Sequence, residues 1–159
     1  MSGLDTDAGF PSEGRLLGID FGTRRVGVAV SDSGQQIAAP LETYQRQSET
    51  ADARFFVRLC EEHRIVGFII GLPVHMSGDE GGMARLVRQF GDHLSQLTRL
   101  PVRYWDERFT SSRAESLLRD ASLGPRKRKR KLDQVAATLL LQAYLDAPDR
   151  SASPTSFEV

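Results

Sequence analysis

The N-terminal part of the chain begins with two short runs in which apolar residues alternate with small or polar ones. Arg15–Asp20 and Arg25–Ser31 show the period of two that is typical of β-strands, and Phe21-Gly22-Thr23 indicates a tight turn between them. A turn at Asp32-Ser33-Gly34 leads to a weaker run, Gln36–Thr43, which tolerates Pro40 if it lies at a sheet edge. These runs predict three neighbouring antiparallel strands.

The rest of the chain alternates between helical and strand-like spacing of apolar residues. The predicted helices span 49–63, 83–97, about 112–123 and about 132–145, and the predicted strands span 65–71 and 101–105. Ser112 and Glu115 fit a capping box, and Gly124-Pro125 is expected to end the helix that they begin. This order predicts an α/β fold: a mixed five-stranded sheet, three antiparallel strands followed by two parallel ones, with the first strand central and helices on both faces.

Length and composition limit the domain organisation. With 159 residues, of which 40% are hydrophobic, the chain suits one domain, which we expect at 15–147, between a disordered N-terminal extension, 1–14, and a disordered tail, 148–159. No apolar run has the length that a membrane helix needs, and the first residues are polar and acidic, so a cytoplasmic protein is expected. Cys60, the single cysteine, lies among apolar residues and is expected to be a buried thiol.

Positive charge is concentrated in one segment. The chain has 21 basic and 21 acidic residues, yet six of the basic ones are consecutive: Arg126, Lys127, Arg128, Lys129, Arg130 and Lys131. Six adjacent cations repel one another unless an anion lies against them, so we expect a loop that binds nucleic acid. A solvated connecting loop without a partner is the simpler alternative.

Acidic residues occur where strands or helices are expected to reach one edge of the sheet. Asp20 ends the central strand, Asp106 and Glu107 follow the last strand, and Asp133 lies in the first turn of the last helix. Because a strand alternates sides, only one of Asp106 and Glu107 can share a face with Asp20, and Glu107 is the preferred choice. Acids gathered there would repel unless a cation neutralised them, and oxygen ligands favour Mg²⁺ or Mn²⁺ over zinc. Turn capping by Asp20 and a helix-dipole role for Asp133 are the purely structural alternatives.

Four sequence blocks together resemble those of one protein family. They are Gly18-Ile-Asp-Phe-Gly-Thr-Arg-Arg-Val-Gly-Val-Ala-Val-Ser-Asp32, Ile70-Gly-Leu-Pro-Val-His-Met-Ser-Gly78, Asp106-Glu-Arg-Phe-Thr110, and Asp133-Gln-Val-Ala-Ala137 with Leu141-Gln-Ala-Tyr-Leu145. In this order they resemble the YqgF family, also called RuvX. That family has an RNase H-like fold and is similar to the RuvC Holliday-junction resolvases.

The resemblance implies a nuclease for the precursor of the small-subunit ribosomal RNA. It implies that Asp20, Asp133 and Glu107, or Asp106 in its place, hold one or two Mg²⁺ or Mn²⁺ ions for phosphodiester hydrolysis. Three arginines could then steady the phosphate while the basic run follows the strand: Arg24, Arg25 and Arg108. Structured RNA, DNA junctions and pre-ribosomal particles are the expected partners, for a monomer or a homodimer.

Three alternatives stay open from the sequence. One is a Holliday junction resolvase acting on four-way DNA. Another is ATP binding, because Gly18–Thr23 also resembles the phosphate loop of the actin and sugar-kinase superfamily, although a second glycine-rich phosphate loop is missing. The third is a ribosome-assembly factor that binds nucleic acid without cleaving it.

Overall fold

The structure is a computed structural model, and it describes residues 9–73, 81–106 and 124–151. The strands are β1 (Arg15–Phe21), β2 (Arg25–Ser31), β3 (Ala38–Gln45), β4 (Ile65–Leu72) and β5 (Val102–Asp106). The helices are α1 (Glu49–His63), α2 (Gly82–Thr98) and α3 (Pro125–Asp146). The helix predicted near 112–123 lies outside the described residues.

The five strands form one mixed sheet in the order β3-β2-β1-β4-β5. The first three strands pair antiparallel, whereas β4 and β5 run parallel to β1. This confirms the predicted architecture, with β1 in the centre. Since β1, β4 and β5 run in the same direction, their carboxyl ends lie along one edge of the sheet.

The two faces of the sheet carry different helices. The larger core packs α1 and α2 against Leu17, Ile19 and other side chains of one face. The smaller core packs α3 against the opposite face, where Leu16, Ala29 and Ile69 lie. Adjacent residues of a strand point to opposite faces, so the assignment of Ile19 to the first core places Asp20 on the α3 face.

Helix α3 packs unusually close to the centre of the sheet because glycines face it. A Cβ atom built on Gly18 would lie 2.8 Å from Cβ of Leu141, and one built on Gly27 would overlap the backbone carbonyl of Asp133. The absence of side chains at these two positions therefore sets the distance between α3 and the strands β1 and β2.

The basic run is helical, which corrects the predicted loop. Helix α3 begins at Pro125 and includes Arg126–Lys131, whereas the sequence pattern started this helix near Leu132. Proline is favourable at the first helical position, and arginine and lysine have high helix propensity, so hydrophobic periodicity alone placed the start too late.

The described parts of both predicted disordered ends contact the domain. The Phe10 ring meets Tyr144 edge-on, with ring centroids 6.1 Å apart. Arg150 donates hydrogen bonds to the side-chain and backbone oxygens of Gln35 at 2.9 and 3.0 Å, and to the carbonyl of Leu145 at 3.0 Å. Residues 9–14 and 148–151 thus make specific contacts, which composition alone did not indicate.

Candidate nucleic-acid cleavage site

Asp20 lies near the carboxyl end of the central strand and is partly exposed. Its neighbour Ile19 is buried in the core under α1 and α2, while Gly18 lies under α3. The alternation of the strand therefore turns the Asp20 carboxylate to the α3 side, at the edge where the parallel strands end. A rigid central strand holds this acid.

Asp133 reaches the same region from helix α3. Gly27 pairs with Asp20 across β1 and β2, and the backbone of Asp133 lies directly against Gly27. The two acids thus flank one glycine although they are far apart in sequence. The close packing of α3 is what brings them together.

Arg25 forms an ion pair with Asp133. The Nε–H group of Arg25 donates to Oδ2 of Asp133 at 2.7 Å, and the two side chains are 32% and 19% exposed. Arg25 was predicted to contact a substrate phosphate, but in the structure its guanidinium lies on one of the candidate metal ligands. No sequence signal linked these positions, which are 108 residues apart.

Strand alternation separates Asp106 from Asp20. Tyr104 donates to the backbone carbonyl of Arg88 on α2, and Trp105 meets the Tyr144 ring of α3 edge-on. Asp106 follows Trp105 as the last residue of β5 and so belongs to the α2 side. Glu107 lies outside the described residues, as does Arg108.

The basic residues form the first turns of α3, on the N-terminal side of Asp133. The described side chains of the run are exposed: Arg126, Lys127, Lys129, Arg130 and Lys131. The structure does not describe the side chain of Arg128. Thr43 at the edge strand donates to the carbonyl of Arg130 at 2.6 Å, which anchors this part of the helix to the sheet. At a rise of about 1.5 Å per residue, the run begins about 10 Å from Asp133 along the helix axis.

Arg24 occupies the turn between β1 and β2. Its side chain is exposed and lines a shallow groove with Gln45, Gln47 and Ser48. Its backbone carbonyl accepts a hydrogen bond from Arg46 at 2.8 Å. Arg24 is therefore placed at the rim beside the strand end, on a different surface from Arg25.

The donor set suits a hard divalent cation. Asp20 and Asp133 supply carboxylate oxygens, the ligand type that Mg²⁺ and Mn²⁺ prefer. Within residues 9–73, 81–106 and 124–151, no group of three or more His, Cys, Asp or Glu side chains is arranged to hold a metal. The third ligand inferred from sequence, Glu107, belongs to the part of the chain that is not described.

A buried acid on the opposite face was not singled out from the sequence. Asp52 is only 5% exposed, and its carboxylate accepts hydrogen bonds from the Tyr44 hydroxyl at 2.8 Å, the Gln47 amide at 3.0 Å and Arg46 Nε at 3.1 Å. Burial opposes ionisation, but these donors outweigh it and lower the pKa of Asp52. Burial, with the hydrogen bond to Asp52, raises the pKa of Tyr44 to about 12. This cluster fastens the start of α1 to the end of β3.

The match to a family model shows which protein family the chain belongs to. Residues 14–147 match the RuvX model, which is described as a Holliday junction resolvase. The chain belongs to the RuvX family. The resemblance seen in the four sequence blocks is thereby confirmed. The described part of the chain contains no helix with the length and apolar character needed to cross a bilayer.

Similar proteins occur among several bacteria. A protein of Rhodobacter capsulatus is 42% identical over 142 residues, which cover 89% of each chain. A protein of Chloroflexus aurantiacus is 44% identical over 140 residues, covering 86% of this chain and 92% of its own. Both carry the provisional name of pre-16S rRNA nuclease.

Solved structures with little sequence identity share the fold. Thermus thermophilus RuvC in complex with a Holliday junction has a TM-score of 0.50 at 11% identity, covering 83% of this RuvX chain and 96% of its own. The Fowlpox virus resolvase bound to Holliday junction DNA also has a TM-score of 0.50 at 11% identity, covering 83% and 97%. These likenesses confirm the predicted RNase H-like fold.

Proposed function

We propose that this RuvX protein is a metal-dependent endonuclease that hydrolyses phosphodiester bonds in structured nucleic acid. We infer that its substrate is the 16S rRNA precursor, whose 5′ end it would process in the cytoplasm. The names of relatives that are more than 40% identical over most of the chain support the substrate. Candidate acids at a sheet edge and a basic helix beside them support the chemistry.

The placement of Asp20 and Asp133 on the two sides of Gly27 carries the proposal. A turn-capping role for Asp20 would not require the two acids to approach each other. Since α3 begins at Pro125, Asp133 lies beyond the first turn predicted for it, where the helix dipole has little effect. Arg25 offsets the charge of Asp133, and a divalent cation bound between the acids would neutralise both carboxylates. Glu107 completes the proposed set, because alternation along β5 places Asp106 on the other face.

The residues of the chain have separate tasks in the proposed reaction. Asp20, on the rigid central strand, would be the main metal ligand, with Asp133 and Glu107 as the further carboxylates. A divalent ion held there would lower the pKa of a bound water and stabilise the leaving oxygen. The protein would contribute the fixed positions of the acids, which would hold the ion and so orient the scissile phosphate and the attacking water.

The basic helix start would bind the nucleic-acid backbone. The exposed cations Arg126, Lys127, Lys129, Arg130 and Lys131 lie on the same helix as Asp133, so a strand held along them passes the acids. The first N–H groups of α3 add to the attraction for phosphate. Arg24 at the rim would contact phosphates on the other side of the acids, and Arg108, which lies outside the described residues, is a further candidate phosphate contact from the sequence.

Cleavage assays with two substrates test the proposal. The purified chain is incubated with an RNA that carries the 16S 5′ precursor extension and with a four-way DNA junction, each with Mg²⁺, with Mn²⁺ and with EDTA. We expect metal-dependent cleavage of the RNA. Cleavage of the junction alone would instead identify a resolvase, the activity in the description of the family model. Binding without cleavage of either substrate would contradict the nuclease and favour an assembly factor.

The oligomeric state separates the two nucleases further. A junction resolvase needs two active sites facing one four-way substrate, whereas an RNA-processing nuclease needs one. Light scattering at assay concentrations, with and without each substrate, gives the mass of the active species. A monomer that cleaves the RNA supports the proposal, and an obligate dimer that cuts the junction symmetrically contradicts it.

A further inference from the structure

The Arg25–Asp133 ion pair sits inside the proposed metal site. The guanidinium lies 2.7 Å from Oδ2 of Asp133, and Arg25 and Gly27 share the face of β2 that α3 covers. A cation this close to a metal ligand changes the affinity of the site for a divalent ion. The inference rests on the proposed function, because it takes Asp133 as a ligand.

We propose that Arg25 is a built-in counter-ion that competes with the divalent cation for Asp133. In the metal-free protein its positive charge offsets the repulsion between Asp133 and Asp20. When a divalent ion binds, the same charge repels that ion and one oxygen of Asp133 stays engaged by Nε–H. Arg25 thus lowers the affinity of the site for metal and fixes which oxygen of Asp133 is offered to it.

Arg25 has two opposing effects on metal binding, orientation of Asp133 and repulsion of the cation, and the structure indicates that repulsion dominates. Arg25 could also favour metal binding by fixing the orientation of Asp133, but the backbone of Asp133 is already held against Gly27. Only the two side-chain torsions of Asp133 are left for Arg25 to order, which is a small entropic effect. Repulsion between a single and a double charge a few ångströms apart is larger, even near the protein surface.

Magnesium titrations of arginine variants test this competition. Calorimetry measures the Mg²⁺ affinity of the wild type, Arg25→Gln, Arg25→Lys and Arg24→Gln, without nucleic acid. We expect Arg25→Gln to bind Mg²⁺ about threefold more tightly or better, since a repelling charge is removed. Arg25→Lys keeps the charge and should stay near the wild type. Arg24→Gln removes an equal charge from the neighbouring position, which faces a different groove, and is the matched control.

Thermal unfolding gives a second readout that does not depend on activity. In EDTA, Arg25→Gln should melt below the wild type because Asp133 has lost its counter-ion, and Mg²⁺ should raise its melting temperature by more than it raises that of the wild type. Cleavage by Arg25→Gln should reach half its maximum at a lower Mg²⁺ concentration.

The possible outcomes separate this inference from the proposed function. Unchanged or weaker Mg²⁺ binding by Arg25→Gln, with normal binding by the wild type, overturns the competition and leaves the nuclease proposal standing. An equal gain in Arg24→Gln also overturns it, because the effect would then be a general one of net charge. A wild type that binds neither Mg²⁺ nor Mn²⁺ overturns both proposals.

Discussion

The backbone carbonyl of Asp133 lies so close to Cα of Gly27 that no side chain fits between them. This contact connects the last helix to the second strand, directly opposite Asp20 in the sheet. It determines how near the two acids come to each other. The position therefore links the stability of the fold to the geometry of the proposed site.

Replacing Gly27 by alanine should harm both stability and the site. The new methyl group would overlap a backbone carbonyl, which cannot rotate away, so α3 must move. We expect Gly27→Ala to lose about 1–3 kcal/mol of unfolding free energy in urea titrations, and to bind Mg²⁺ more weakly. Gly82→Ala is the control, because its Cβ would meet only the end of Arg85, at 3.9 Å. Equal stability of the two variants would refute the close packing.

Neutralising the basic turns of α3 should weaken nucleic-acid binding without loss of stability. Changing Arg126–Lys131 to glutamine keeps helix propensity and removes six charges. Each lost phosphate contact should flatten the dependence of log affinity on log salt by about 0.9 for duplex DNA. The melting temperature should stay constant or rise, since cations are unfavourable at a helix N-terminus.

Filter binding at several salt concentrations measures this effect. Changing Arg54 and Arg58 of α1 to glutamine provides a control on the opposite face of the sheet. If the salt dependence of the α3 variant matched that of the wild type, the run would be a solvated helix end and the substrate path would lie elsewhere.

Asp52 should make the protein sensitive to acid. Its pKa is lowered in the folded state, so its contribution to stability is complete above the ordinary aspartate value of 3.8 and is lost as the pH falls through the folded-state pKa. Asp52→Asn should lose about 1–3 kcal/mol at neutral pH, and its stability should fall less steeply below pH about 5. Urea midpoints at neutral and acidic pH test this. A parallel pH profile in wild type and variant would contradict the assignment, and Glu62→Gln on the exposed side of α1 serves as the control.

Most of the sheet could be predicted because its signals are local. Alternation in Arg15–Asp20 and Arg25–Ser31 and the buried run after Ile65 all match strands of the structure. The predicted start of α3, near Leu132, was wrong. Charged residues show no hydrophobic period, although they form helices readily. The contacts of Phe10 and Arg150 escaped prediction since single side chains in polar segments give no pattern.

The positions of Asp20 and Asp133 near one edge of the sheet could be predicted, but the side chains that contact them could not. Asp20 stands out because a carboxylate interrupts an apolar strand near its end, and strand direction places it at the edge with β5. The ion pair between Arg25 and Asp133 depends on the close packing of α3 on Gly27, which joins segments 108 residues apart. Packing of that kind is a property of the fold, so a single sequence could not reveal it.

Substitutions of Asp106, the last residue of β5, and of Glu107, which follows it in the sequence, should differ in their effect on the cleavage rate. Alternation places Asp106 on the α2 side, so Asp106→Asn should leave cleavage within a few-fold of the wild type. Glu107→Gln should lower it about 100-fold or more, as expected for loss of a ligand to a catalytic metal. Single-turnover rates for the two variants compare them directly. The reverse order of effects would exchange the roles of these residues.

Asp20→Asn tests the central claim most directly. The change keeps the size of the side chain and removes the charge that would hold the divalent ion, so folding and RNA binding should persist while chemistry stops. The measurement is the single-turnover cleavage rate of the 16S precursor RNA at saturating Mg²⁺, with RNA affinity measured in parallel. We expect a loss of about 100-fold or more in rate, with affinity unchanged. Cleavage at the wild-type rate by Asp20→Asn would contradict the proposed nuclease site.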